Sequence, residues 1–202
     1  MNIRHAGRSA LAALAFCIAT VPASAAAATA DAAASPQQGA AGVTWVHPVI
    51  AKFGGVHPRP DVDMQLDPKA DYKVFVDVVS ADLDSDEPLH SLLRLARLVN
   101  LMGYGKVPPS HVHIVALLDG QAGAAALTDE AYRRMSKKHT ANPNTALLHA
   151  LRQAGVKLMV CSQAMAGLGL KDSDIDPDVT ITLSGLTDPI LYGQRGYSYM
   201  QL

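Results

Sequence analysis

Apolar positions in the second half of the chain switch repeatedly between two spacings. Lys73-Val74-Phe75-Val76-Asp77-Val78-Val79 is β-branched, mostly apolar and followed by a polar turn over 82–87, which predicts a strand. From about 88 to 102 the spacing becomes helical. Leu89, Leu92, Leu93, Ala96 and Val99 share one stripe, with Pro88 suited to the first turn and Gly103 to the stop. A second strand is predicted over 112–118, ending at Asp119-Gly120, and a weaker helical region over 121–138. Asn142-Pro143-Asn144 predicts a helix start, with Asn142 as cap, Pro143 at the first helical position, Leu147, Leu148 and Leu151 facing inward, and Gly155 closing. The strand predicted over 156–160 leads into Cys161 and a short helix near 163–166. A fourth strand is expected over 179–183, then a short helix capped by Ser184, and a last strand over 197–201.

Strands alternating with helices predict an α/β protein: a single three-layer α/β/α domain over 71–202 with a mostly parallel five-stranded sheet. In open sheets of this kind, sites form beyond the carboxyl ends of the strands. That rule brings Ser80 and Asp82, then Asp119 and Gly120, then Cys161, Ser162 and Gln163, then Ser184 and Gly185, to one edge.

The first 70 residues read differently. A basic start with Arg4 and Arg8, an apolar run over about 10–21, and Ala23-Ser24-Ala25 form the three parts of a secretory signal peptide over 1–25, too short to span a bilayer. Residues 26–42 are Ala-rich with Ser, Pro, Gln and Gly, as in a flexible tether. Over 43–70, Trp45, Val46, Val49, Ile50 and Phe53 are interrupted by Pro48, Gly54, Gly55, Pro58, Pro60 and Pro68. This pattern predicts an extended arm lying along its own domain or along a neighbouring subunit.

The formal net charge of -1, without a long basic stripe, speaks against nucleic-acid binding, and no other segment suits a membrane span. The chain has two cysteines, and cleavage of the leader removes Cys17. Cys161 is then left without an intramolecular partner in an oxidising compartment, which permits an intermolecular bond, a reactive thiol or a shielded core residue. At a strand-to-helix junction a thiolate gains from unpaired backbone N–H groups; a cysteine following Val156-Lys157-Leu158-Met159-Val160 also suits a core position. His111 and His113 alternate onto one strand face but start their strand where Cys161 ends its own, so no metal is expected. The acidic runs near 82–86 and 172–178 lack the glycine and closing glutamate of a calcium loop. Arg133, Arg134, Lys137 and Lys138 read as a solvated helix face. No cofactor motif is present: Gly103-Tyr104-Gly105 lacks the following glycine and the preceding strand of a dinucleotide fingerprint.

The stretch from Asn142-Pro143-Asn144 to Leu151, then Ala154-Gly155-Val156, Val160-Cys161-Ser162-Gln163, and the ending Gly196-Tyr197-Ser198-Tyr199-Met200, resembles the DsrE/DsrF-like family over about 72–202. The arm sequence Lys52-Phe53-Gly54-Gly55-Val56 is similar to that of exported members. The resemblance implies a small α/β fold, self-association, and sulfur carriage as a persulfide on Cys161, exchanged with donor and acceptor proteins in the periplasm. It also implies that Gln163 matches the glutamine two residues beyond the cysteine, and that Asn100 matches an asparagine late in the first helix. Ser162 stands where many exported relatives have glycine, and Asp119 precedes Gly120 where many have histidine. A carboxylate near the thiol opposes thiolate formation. The competing reading is a non-catalytic oligomeric module whose pocket, with Asn100, Asp119, Gly120, Ser162, Gln163 and Ser184, holds a small ligand while Cys161 packs.

Overall fold

The computed structural model describes residues 42–79, 85–136 and 138–202; the expected leader over 1–25, all but the last residue of the expected tether over 26–42, and Ser80 and Asp82 lie outside them. The elements run β1 (Tyr72–Val78), α1 (His90–Tyr104), β2 (Val112–Leu118), α2 (Asp129–Ser136), α3 (Thr145–Gln153), β3 (Lys157–Cys161), α4 (Ser162–Leu168), β4 (Val179–Thr182), α5 (Asp188–Gly193) and β5 (Ser198–Gln201). The five strands order as β4-β3-β2-β1-β5, and every neighbouring pair is parallel. The sheet is therefore fully parallel.

Strand alternation divides the sheet into two unequal faces. On the first, Val76, Val78, Ile114, Ala116, Leu118, Leu158 and Val160 are buried under α1, α3, Met165 of α4 and the 3-10 segment Gly120–Ala126. Ala122, Ala124, Ala125 and Ala126 are all buried, and their small side chains let this segment lie close to the sheet. On the second face Phe75, Val115, Leu117, Met159 and Cys161 pack with Tyr192 of α5, with Ala164 and Tyr197 at the margin and Tyr199 stacked on Phe75. The amino halves of these strands carry Lys73, His113 and Lys157 there, all in contact with solvent. The third layer is thin.

Several local expectations are corrected. Helix α1 continues one residue past Gly103, to Tyr104, and a side chain at position 103 would strike Val49 of the arm, so the glycine serves packing. Asn142 does not cap α3. Its buried side chain accepts from Asn144 N–H (3.0 Å) and donates to the carbonyls of Ala125 and Leu127, while Asn144 takes the cap position and accepts Leu89 N–H at 2.8 Å. These two asparagines thus join the starts of α1 and α3. His111 belongs to the 3-10 turn Pro109–His111 and does not share a strand with His113.

The arm folds back on itself through a paired Val46–Val56 bridge and lies on α1 of its own chain. Asn100, fully buried, accepts from the Val49 and Ile50 N–H groups at 2.9 and 2.8 Å and donates to the Phe53 and Gly54 carbonyls at 2.8 and 3.0 Å. Arg97 donates to the Gly55 carbonyl at 2.8 Å and stacks over Trp45. Gly54, at φ 64°, sits so close to the α1 backbone at Arg97 that any side chain would collide with it. Among the described residues no helix is long and apolar enough to cross a membrane.

Candidate functional site

The strands converge on a common carboxyl edge. Leu118 pairs with Val160 and Cys161 with Thr182, and Asp119 N–H continues the ladder to the Val78 carbonyl at 2.9 Å. Because neighbours in register share a face, Asp119, Cys161 and Thr182 form one row at the end of the thin face. Over that row folds the 183–187 turn. Ser184 shapes it: its Oγ accepts Leu186 N–H at 3.1 Å, and its carbonyl accepts from the N–H groups of Thr187 and Asp188. Ser184 therefore closes a turn ahead of α5, whose cap position is Thr187, and does not cap the helix as expected.

Gly185 is the residue that touches the sulfur. Its N–H donates to Cys161 Sγ at 3.2 Å, and its α-carbon faces the Asp119 carboxylate so closely that a Cβ would strike it. The other Asp119 oxygen accepts Gly120 N–H at 2.7 Å, with Gly120 held at φ 52°. Cys161 is 3 % exposed and is the last residue of β3. The expectation that the amino end of α4 would serve the thiol is corrected: Sγ makes no bond to the α4 N–H groups, and its donor comes from the opposite turn. Ser162 Oγ and Gln163 Nε2 both donate to the Leu183 carbonyl, at 2.7 and 3.2 Å. They tie α4 to the end of β4.

Two further carboxylates flank the row. Thr182 Oγ1 donates to Asp188 Oδ1 at 2.9 Å, and Asp188 is 4 % exposed with its Oδ2 unpartnered among the described residues. On the other side Tyr199 Oη donates to Asp77 Oδ2 at 2.8 Å, and Asp77, 9 % exposed, likewise leaves Oδ1 unpartnered. Burial pushes the Asp77 carboxyl above its usual range; the Tyr199 hydrogen bond opposes that shift and the nearby Asp119 adds to it. Bonding to Asp77 in turn raises the Tyr199 phenol.

Asp119, Gly120, Cys161, Ser162, Gln163 and Ser184 are thus brought to one edge, whereas Asn100 is not. It lies under the arm on α1, which covers the opposite face, and its amide is consumed by backbone partners. His111 and His113 lie at the amino end of β2, away from Cys161. Thr182, Asp188, Asp77 and Tyr199 were not expected at the site. One signal existed: Asp77 interrupts an otherwise apolar strand between Val76 and Val78. A separate cleft of about 580 Å³ opens between the arm and α3, lined by Ile50, Lys52, Phe53, Ala146, His149 and Gln153.

Chemically, the sulfur has one N–H donor, from Gly185, and the Asp119 carboxylate as its in-register neighbour. Cys161 is buried, and Gly185 of the 183–187 turn lies against its sulfur.

No curated protein sequence matches the chain. A solved structure of a protein of unknown function from Methanobacterium thermoautotrophicum is similar at a TM-score of 0.49 and 19% identity, covering 65% of this chain and 100% of that one. The model of the DsrE/DsrF-like family matches residues 73–202, which include all of the sheet but Tyr72 and the complete thiol row, and the chain belongs to that family.

Proposed function

We propose that the protein is an exported sulfur carrier that holds sulfane sulfur as a persulfide on Cys161 and passes it to a partner thiol. The observation that carries this reading is the Gly185 N–H on Cys161 Sγ at the carboxyl edge of the sheet, in a chain of a family linked to sulfur relay. Transfer needs a thiolate that attacks the donor and a second thiolate that removes the outer sulfur. Cys161 is the one free cysteine of the described residues, and removal of the leader takes Cys17 away, so in this reading the second thiol belongs to another molecule. The basic start, apolar run and Ala23-Ser24-Ala25 support export to the periplasm. Exposed Leu183, Leu186, Ile190 and Leu191 around the turn support self-association over the thin face.

A second reading rests on the burial of Cys161: a ligand-binding module in which the thiol only packs. Native alkylation separates the two. The carrier reading requires Cys161 to react with iodoacetamide in the folded protein at neutral pH; reaction only after unfolding establishes the packing reading.

A further inference from the structure

The thiol row is acidic on both sides. Asp119 is the in-register neighbour of Cys161 toward β2, and Asp188 sits on Thr182, its in-register neighbour toward β4. Asp77 lies one strand beyond Asp119 on the same face, close enough for the two charges to interact. No cationic side chain occupies this row among the described residues. Lys157, on the same strand and face as Cys161, lies four residues back, about 13 Å at strand spacing, with its ammonium 3.1 Å from Tyr192 Oη. A buried carboxylate ordinarily finds an Arg, a Lys or several N–H donors. Here Asp188 and Asp77 each keep an oxygen that no described group satisfies.

We infer that this site selects sulfur donors carrying a cationic group beside the sulfane sulfur, of the class of low-molecular-weight aminothiol persulfides, and discriminates against anionic donors such as thiosulfate. The inference rests on Cys161 being the sulfur acceptor. In the transfer the Cys161 thiolate attacks the terminal sulfur of R–S–SH, the donor S–S bond breaks as the new one forms, and the donor leaves as RS⁻. The proton stays on the transferred sulfur, giving Cys161–S–SH, so atoms, charge and oxidation level balance. An ammonium on R sits beside Asp119 while its sulfur approaches Sγ. Thiosulfate brings two negative charges to the same carboxylates.

Three symmetrical disulfides test this selection without an unstable persulfide: cystamine, a dication; bis(2-hydroxyethyl) disulfide, neutral; and 3,3′-dithiodipropionate, a dianion. Each forms a mixed disulfide with Cys161 and releases one thiolate. Rates are read by intact mass at low salt and divided by those of 2-mercaptoethanol with the same reagent, which removes intrinsic reactivity. A unit charge about 6 Å from one carboxylate, at an effective dielectric near ~40, changes the rate about tenfold. Cystamine is therefore expected to run about tenfold ahead of the neutral reagent and the dianion about tenfold behind. The spread should shrink in about 0.5 M salt and in Asp119→Asn, a near-isosteric change that keeps the packing against Gly185. Equal normalised rates for all three reagents, or a spread that neither salt nor Asp119→Asn alters, overturns the inference and leaves the carrier reading standing. Failure of even the neutral reagent to label folded protein overturns both.

Discussion

Replacing Asn100 by alanine removes a buried amide that serves four backbone groups of the arm at 3.0 Å or less: the N–H groups of Val49 and Ile50 and the carbonyls of Phe53 and Gly54. A buried backbone group left without its partner costs about 1–3 kcal/mol, and partial rehydration as the arm loosens relieves some of that. With four groups affected, a loss of about 3–5 kcal/mol is expected, a large share of the roughly 5–15 kcal/mol that holds a domain together. Urea unfolding followed by far-UV circular dichroism measures it: with a slope of about 2 kcal/mol/M the midpoint falls by about 1.5–2.5 M. Hydrogen exchange should locate the damage, with protection lost first at Val46, Val49, Ile50 and Val56. Because Asn100 lies on the face opposite Cys161, the alkylation rate of the folded variant should match wild type. A destabilisation under about 1 kcal/mol, or a change in thiol reactivity without one, refutes the assignment of Asn100 as the clamp that holds the arm to α1.

Other perturbations address the thiol edge. Gly185→Ala places a Cβ against the Asp119 carboxylate. Overpacking costs about 1–3 kcal/mol in the closed turn, so native alkylation of Cys161 should accelerate at least about fivefold; an unchanged rate shows that the turn does not cover the sulfur. Asp77 binds its proton more tightly folded than unfolded, so the folded state holds more protons in the interval between the two values. Wild-type stability should therefore fall as pH rises from about 4 through the raised folded value, a slope that Asp77→Asn abolishes; identical pH profiles contradict the buried-carboxyl account. Leu186→Asp with Ile190→Asp should weaken self-association in sedimentation equilibrium without lowering thermal stability. An unchanged association constant places the interface elsewhere.

Five strands and their helical crossovers were legible because each strand is a short β-branched or apolar run and each helix shows a 3.6-residue stripe. The strand boundaries fall within one residue of those expected, Val179–Thr182 against 179–183 for example, whereas the helical region expected over 121–138 is the 3-10 segment Gly120–Ala126 followed by α2 from Asp129 to Ser136. What the pattern hid was the purpose of individual polar and glycine residues. Gly103 and Asn142 look like punctuation in one dimension, yet they answer to partners that folding brings up from other segments, Val49 for one and the Ala125 and Leu127 carbonyls for the other. Asn100 was grouped with the thiol by resemblance, but its contacts lie 46–51 residues away in an arm whose position the sequence left open. Cys161, Asp119, Gly120, Ser162, Gln163 and Ser184 were placed at one edge because a parallel sheet collects strand ends. The register that makes Asp119 the neighbour of Cys161, and the turn that lays Gly185 on the sulfur, depend on the strand order β4-β3-β2, which no local pattern encodes.

Sulfur carriage on Cys161 is most directly tested by intact mass. The protein lacking residues 1–25 is incubated with polysulfide, freed of excess reagent and weighed beside Cys161→Ser, then weighed again after an acceptor thiol is added. The account predicts a gain of one sulfur atom on wild type, none on Cys161→Ser, and return to the starting mass with the acceptor. No sulfur gained by folded wild type, while a reactive control protein gains it under the same conditions, contradicts the account.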